Sequence, residues 1–350
     1  MEFFGKTKEG QDVYTVTLKN KNHMEVEILT LGAALHRIIL EDADGIRRDV
    51  ILGYDTPAEY QDSTCYFGMV VGRNANRICE GKLAIDGISY ELEQNNGRNN
   101  LHSGAHGLSF KVWDVTEETE GAATFRAVSP DMEQGFPGTM TVSVRYTLSD
   151  EDTLAIAYEA RSDRTTVANF TNHAYFNLDG HDSGSIESQR LAIFAEGYTP
   201  IIDSGSIPTG EIASVEDTPF DFRVMKTIGE SIHDDFDQLK FAGGFDHNMA
   251  LAYEGDGTME LAARAQGVIS GIQMECRTDC PGVQFYTGNF IDPQKGKDGA
   301  DYDFRQGFCL ETQYFPDSVN QENFVQPILK AGDTYHSRTE YHFEIIRQER

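Results

Sequence analysis

Apolar and polar positions alternate with a period of two along most of the chain. Residues 13–18 and 24–31 alternate cleanly and 35–40 form a denser apolar run, which predicts half-buried strands followed by a more fully buried one. Asparagine, aspartate and glycine punctuate them at Lys19-Asn20-Lys21-Asn22 and Asp42-Ala43-Asp44-Gly45, as turns require. Thr56-Pro57-Ala58-Glu59 predicts the start of a short helix, with Thr as N-cap, Pro in the first turn and Glu closing a capping box. Residues 65–71 read as another buried strand, and 83–92 as a hairpin about Asp86-Gly87, a strong short-range turn signal. Residues 112–158 read as a β-meander with strands at 113–116, 123–129, 139–148 and 153–160. A long strand is expected at 167–178, shorter ones at 191–194, 273–276 and 283–290, a short helix at 231–240 and a closing strand at 341–346.

Strands recur about every 8–12 residues, as in a sandwich or barrel. No internal repeat, low-complexity segment or linker interrupts them. All 350 residues therefore read as one all-β domain, a large antiparallel sandwich with a few short helices. A curved sandwich face would let several strands present polar groups to one ligand.

Two stretches carry candidate chemistry. In Phe308-Cys309-Leu310-Glu311-Thr312-Gln313, alternation puts Phe308, Leu310 and Thr312 on one face and Cys309, Glu311 and Gln313 on the other. Glu311 is then either a solvated carboxylate on a half-buried strand or one desolvated among apolar neighbours, which raises its pKa toward that of a general base. In Thr171-Asn172-His173-Ala174-Tyr175-Phe176-Asn177-Leu178, His173, Tyr175 and Asn177 share one face against a core set of Ala174, Phe176 and Leu178. An imidazole, a ring and an amide in a row suit a hydroxylated ligand; the alternative is a buried histidine with a satisfied hydrogen bond.

Other motifs are weaker. His102 and His106 are four apart, but their glycine- and asparagine-rich surroundings favour a loop histidine that donates to a ligand over a zinc pair. Arg73 and Arg77 bracket Asn74-Ala75-Asn76; a structural ion pair is the plain reading of either. Gly243-Gly244-Phe245-Asp246-His247-Asn248 reads as a turn with a carboxylate and an amide two apart, an Asx-turn being the plain reading. No phosphate loop, dinucleotide fingerprint or nucleophile elbow occurs.

Charge narrows the ligand. A formal net charge of −28 argues against nucleic acid and against anionic membranes, and leaves a neutral polar molecule. The N-terminal residues lack the basic-then-apolar pattern of a signal peptide, and no window reaches the length of a membrane span. Five scattered cysteines suit free thiols in a reducing cytoplasm.

Six stretches together carry a resemblance. Gly72-Arg73-Asn74-Ala75-Asn76-Arg77-Ile78, Asn100-Leu101-His102-Ser103-Gly104, Gly135-Phe136-Pro137-Gly138, Thr171 to Leu178, Phe245-Asp246-His247-Asn248 and Glu311-Thr312-Gln313 follow in the order of the aldose 1-epimerase (galactose mutarotase) family, which the chain resembles over about residues 70–325. Ser103 departs from the glycine frequent there, a small-for-small change. The resemblance implies a galactose mutarotase-like supersandwich with the site in an open cleft. It implies Glu311 as general base and His173 as general acid, with Asn76, Arg77, His102, Tyr175, Asp246 and Gln284 contacting the sugar. It further implies anomer interconversion of free aldohexoses such as galactose and glucose, a place in hexose metabolism, and no metal or other cofactor. Under this reading the Glu311 carboxylate would favour the imidazolium form of His173.

Three other readings share the polar cleft. A phosphorylated-sugar epimerase would want several lysines or arginines for a dianion. A glycoside hydrolase would want two carboxylates flanking the bond, with Asp246 beside Glu311 and His173 left without a role. A non-catalytic sugar-binding module would not need Glu311 as a base.

Overall fold

The computed structural model describes residues 1–253 and 255–347. Three antiparallel sheets hold most of its strand residues. The first has five strands in chain order, Glu2–Lys6, Asp12–Lys19, Glu25–Leu29, Leu35–Glu41 and Arg47–Asp49. The second has nine, running Asp114–Glu118, Ala122–Ser129, Met140–Leu148, Thr153–Ser162, Thr334–Ile345, Ile272–Thr278, Glu260–Gln266, Arg190–Ile193 and Lys226–Thr227. The third, which carries the site, orders Ala213–Ser214, Gly197–Tyr198, Asp246–Ala250, Gly282–Tyr286 and Cys309–Gln313. No helix among the described residues is long and apolar enough to cross a membrane.

Alternation decides which face of each sheet is core. Val16, Leu18, Val26 and Ile28 from the first sheet, Phe125, Val142, Val144 and Ile156 from the second, and Met249, Val283, Phe285 and Leu310 from the third join one continuous apolar cluster. Each such side chain contributes about 1.5–3 kcal/mol on burial. Register then places the opposite face of the third sheet. Asn248 pairs with Gln284 and Gln284 with Glu311, while Asp246 pairs with Tyr286 and Tyr286 with Cys309. Polar side chains on three adjacent strands therefore share one surface.

The meander at 112–158 and the Asp86-Gly87 hairpin form as expected, the latter as Lys82–Ile85 against Ile88–Glu91. The helix Pro57–Asp62 starts at Thr56, whose hydroxyl accepts the Glu59 N–H at 3.3 Å. Several expectations need correction. Residues 65–71 are a strand only at Val70–Val71. Gly68, at φ +65°, turns the chain there, and a side chain at that position would collide with the Leu35 carbonyl. Residues 167–178 are not one strand but Thr166–Val167, Thr171–Asn172 and a bridge at Phe176. Their amides serve different elements: Asn169 donates to the Arg73 carbonyl, His173 to Met69, Phe176 to Phe308 and Asn177 to Val50. The segment alternates because it threads between packed layers, with neighbours on both sides. The helix expected at 231–240 occurs instead as Asp237–Ala242, closed by Gly243 at φ +68°. Strands Glu2–Lys6, Asp246–Ala250 and Glu260–Gln266 are among those outside the set that alternation predicts; the turn expected at 243–248 ends at Asp246, where pairing with Gly282–Tyr286 makes the chain a strand.

Candidate active site

The polar face of the third sheet floors a cleft of about 750 Å³, within the usual range for small-molecule sites. Glu311 lies at the bottom, in the middle of Cys309–Gln313, and is 2% exposed. It is thus a desolvated carboxylate, not a solvated one. His173 comes from the threading segment and meets it, with Nε2 3.6 Å from Glu311 Oε2. Oε2 has no hydrogen-bond partner among the described residues. The Tyr175 ring stacks on His173 at 5.0 Å between centroids, and Tyr66 lies at 6.0 Å on a near-parallel plane.

Burial perturbs the two groups in opposite directions. It pushes the Glu311 carboxyl well above the usual carboxylate range, helped by the nearby Asp246 charge and opposed by Arg77. It pushes His173 down to about 4. Desolvation is the largest cause for each group, and they face each other at 3.6 Å, beyond hydrogen-bond distance. Burial thus favours the neutral form of both and works against the expected imidazolium.

The remaining candidates surround this pair. His102 is buried, which holds its pKa well below the usual imidazole value and keeps it neutral. Its Nδ1 accepts the Asn76 N–H at 3.2 Å, so its hydrogen sits on Nε2. Asn76 holds a left-handed backbone at φ +64°, and its Oδ1 accepts the Arg77 N–H at 2.9 Å. Arg77 Nη1 stands 3.8 Å from Asp246 Oδ2, and its Nε donates to Asn96 Oδ1 at 3.2 Å. Asn76, Arg77, His102, Tyr175 and Asp246 all line the cleft with Glu311 and His173. Gln284 does not, contrary to the expected sugar contact. It is buried behind Asp246, donates Nε2 to Asp246 Oδ1 at 2.7 Å, and leaves Oε1 without a partner among the described residues.

The two arginines that look alike in sequence part company here. Arg73 is buried away from the cleft. Its guanidinium donates to the Ser129, Pro130 and Pro137 carbonyls, each at 2.8 Å. It is therefore structural, through carbonyls and not through the expected ion pair. Asn177, grouped with His173 by alternation, also leaves the site: its Nδ2 donates to the Gly184 and Gln306 carbonyls. His106 is exposed at the rim.

His102, His173 and Glu311 each bring one donor atom to within 4.8 Å of the others. With its hydrogen on Nε2, however, His102 offers the cleft a donor and not a lone pair. The trio suits a hydroxylated ligand better than a cation. Sequence reasoning missed the aromatic walls Tyr66 and Tyr286 and the rim residues Asn95, Asn96 and Phe290. Only the alternation of Tyr286 with Phe285 along its strand hinted at any of them.

Comparison with known proteins agrees with this geometry. The aldose 1-epimerase family profile matches residues 14–342. A galactose mutarotase from Bos taurus is 42% identical over 325 residues, covering 93% of this chain and 92% of that protein. An aldose 1-epimerase from Escherichia coli K12 is 36% identical over 337 residues, 96% of each chain. Among solved structures, an aldose epimerase homologue from C. elegans superposes with a TM-score of 0.88 at 30% identity, covering 96% of this chain and 100% of that one. The chain belongs to the aldose 1-epimerase family.

Proposed function

We propose that the cleft interconverts the α and β anomers of free aldohexoses, galactose and glucose among them, with Glu311 as base and His173 as acid. The observation that carries this reading is the pair itself. Two titratable groups face each other at 3.6 Å, both desolvated and shifted in opposite directions. A binding module has no need of such a pair.

In the reactive form Glu311 is a carboxylate facing the C1 hydroxyl, and His173 carries a proton on Nε2 toward the ring oxygen. Glu311 takes the hydroxyl proton, His173 protonates the ring oxygen, and the C1–ring oxygen bond breaks to give the open aldehyde. Rotation about C1–C2 exposes the other carbonyl face. Closure returns both protons and yields the other anomer. Acid–base help of this kind is worth about 10²–10⁴-fold. Arg77, Asp246 and the His102 Nε2–H would hold the sugar hydroxyls during rotation, with Asn76 and Tyr175 completing the walls and Gln284 steadying Asp246.

The cleft disfavours a phosphorylated sugar. Its lysine and arginine lining, among the described residues, consists of Lys8, ion-paired with Asp62, and Arg77, facing Asp246. Neither is free for a dianion. We further infer that residues 1–350 act as one domain, and that the five unpaired cysteines suit the cytoplasm.

Polarimetry of fresh α-D-galactose and α-D-glucose tests the reading. The protein should speed the decay of optical rotation to the unchanged equilibrium value, and Glu311→Gln or His173→Asn should abolish the acceleration. Tight sugar binding without acceleration would contradict it.

A further inference from the structure

The strand Cys309–Gln313 touches the imidazole of His173 twice. Glu311 Oε2 faces Nε2 at 3.6 Å, and Cys309 Sγ lies 3.6 Å from Nδ1. The two residues are two apart on one strand face, so a single rigid element addresses both ring nitrogens. Cys309 is fully buried. The backbone of His173 is pinned as well: its N–H donates to the Met69 carbonyl at 2.9 Å and its carbonyl accepts from the Gly68 N–H at 3.0 Å. The chemistry assigned above uses Nε2 alone and leaves the thiol contact unexplained.

We propose that Cys309 is a positioning residue whose sulfur accepts the Nδ1 hydrogen of His173, leaving Nε2 as the nitrogen that exchanges a proton with the sugar. The inference rests on the reading of His173 as the acid. Which imidazole nitrogen carries hydrogen is set by the bond made by the other. Burial holds the thiol well above its usual pKa, so the sulfur stays uncharged and is a weak acceptor. A carboxylate at this place would raise the basicity of the ring and make the imidazolium a poorer acid toward a ring oxygen. A thiol orients the ring without that effect. The titratable groups facing His173 are Glu311 and Cys309 from this strand, His102 and Tyr66 from the neighbouring loops, Tyr175 beside it and Tyr286 across the sheet.

The test combines kinetics with nitrogen NMR of the intact protein carrying ¹⁵N-histidine. The unaltered protein should show His173 with hydrogen on Nδ1. Cys309→Ala should mix the two tautomers and lower kcat about tenfold, the low end for loss of a group that orients another, with KM within about twofold. Cys309→Ser keeps an acceptor and should recover the Nδ1–H tautomer and most of kcat; it also provides the test if the alanine variant does not fold. The two readings fail separately. An unaltered protein that does not accelerate mutarotation overturns the function proposed above. An active protein with hydrogen on Nε2, or a Cys309→Ala variant with tautomer and kcat unchanged, overturns the role of Cys309.

Discussion

Two of the buried ionisable centres among the described residues are built differently. Lys297 is fully buried, yet its ammonium meets Asp49 Oδ2 at 2.7 Å and the His36 carbonyl. Asp49 also meets Arg37 at 3.2 Å, and Arg37 continues to Asp298 at 2.6 Å. Every charge there has a close partner of opposite sign. At the cleft floor, Glu311 Oε2 has no hydrogen-bond partner among the described residues, and His173 Nε2 stands 3.6 Å away. Burial without satisfaction is costly. Glu311, unlike Lys297, lines the cleft, where the proposed sugar would supply the missing partner.

Substitutions should separate the two centres. The largest expected effect is at the floor: Glu311→Gln should lower kcat/KM by about 10²–10⁴-fold, measured by polarimetry, with circular dichroism unchanged. Lys297→Met should do the reverse. It leaves Asp49 buried without its ammonium and should cost about 3–5 kcal/mol of stability in urea titration, while the folded fraction keeps its kcat. Lost activity without lost stability in this variant would erase the contrast.

The pH dependence of stability sharpens the comparison further. The Glu311 pKa is raised in the folded state, so its favourable contribution is complete below the unfolded value, about 4.3, and is lost as pH rises through the folded value. Glu311→Gln should therefore gain stability over the unaltered protein as pH rises through that window and match it at lower pH. Urea midpoints measured from below the unfolded value to above neutrality give the answer; a constant difference would mean that Glu311 is not desolvated. The smallest effect belongs to the cleft wall. Arg77→Lys should raise KM for galactose by about tenfold, the scale of a charged hydrogen bond, with kcat within about twofold.

How much of this was legible in sequence depended on what each segment packs against. Alternation put Glu311 correctly on the face opposite Leu310, which meets the core while Glu311 meets the cleft. The same rule misplaced Asn177, because the backbone of its segment changes partners between layers and the face rotates with it. The Glu311 environment was only half legible: apolar neighbours suggested a raised pKa, but the burial that lowers the pKa of His173 is a tertiary fact. Lys297 gave no signal, since a lysine between glycine and aspartate reads as a surface turn. Arg73 and Arg77 were alike in sequence, and only the carbonyls around Arg73 tell them apart.

In the proposed reaction Glu311 and His173 act together, one as base and the other as acid. The pH profile of kcat/KM for galactose mutarotation, corrected for the spontaneous rate, tests it most directly. The profile should be a bell: activity falls at low pH when both groups are protonated, and at high pH when both are deprotonated. Glu311→Gln should remove the bell along with the activity. A profile that stays flat across both limbs, or a bell that survives Glu311→Gln, would contradict the account.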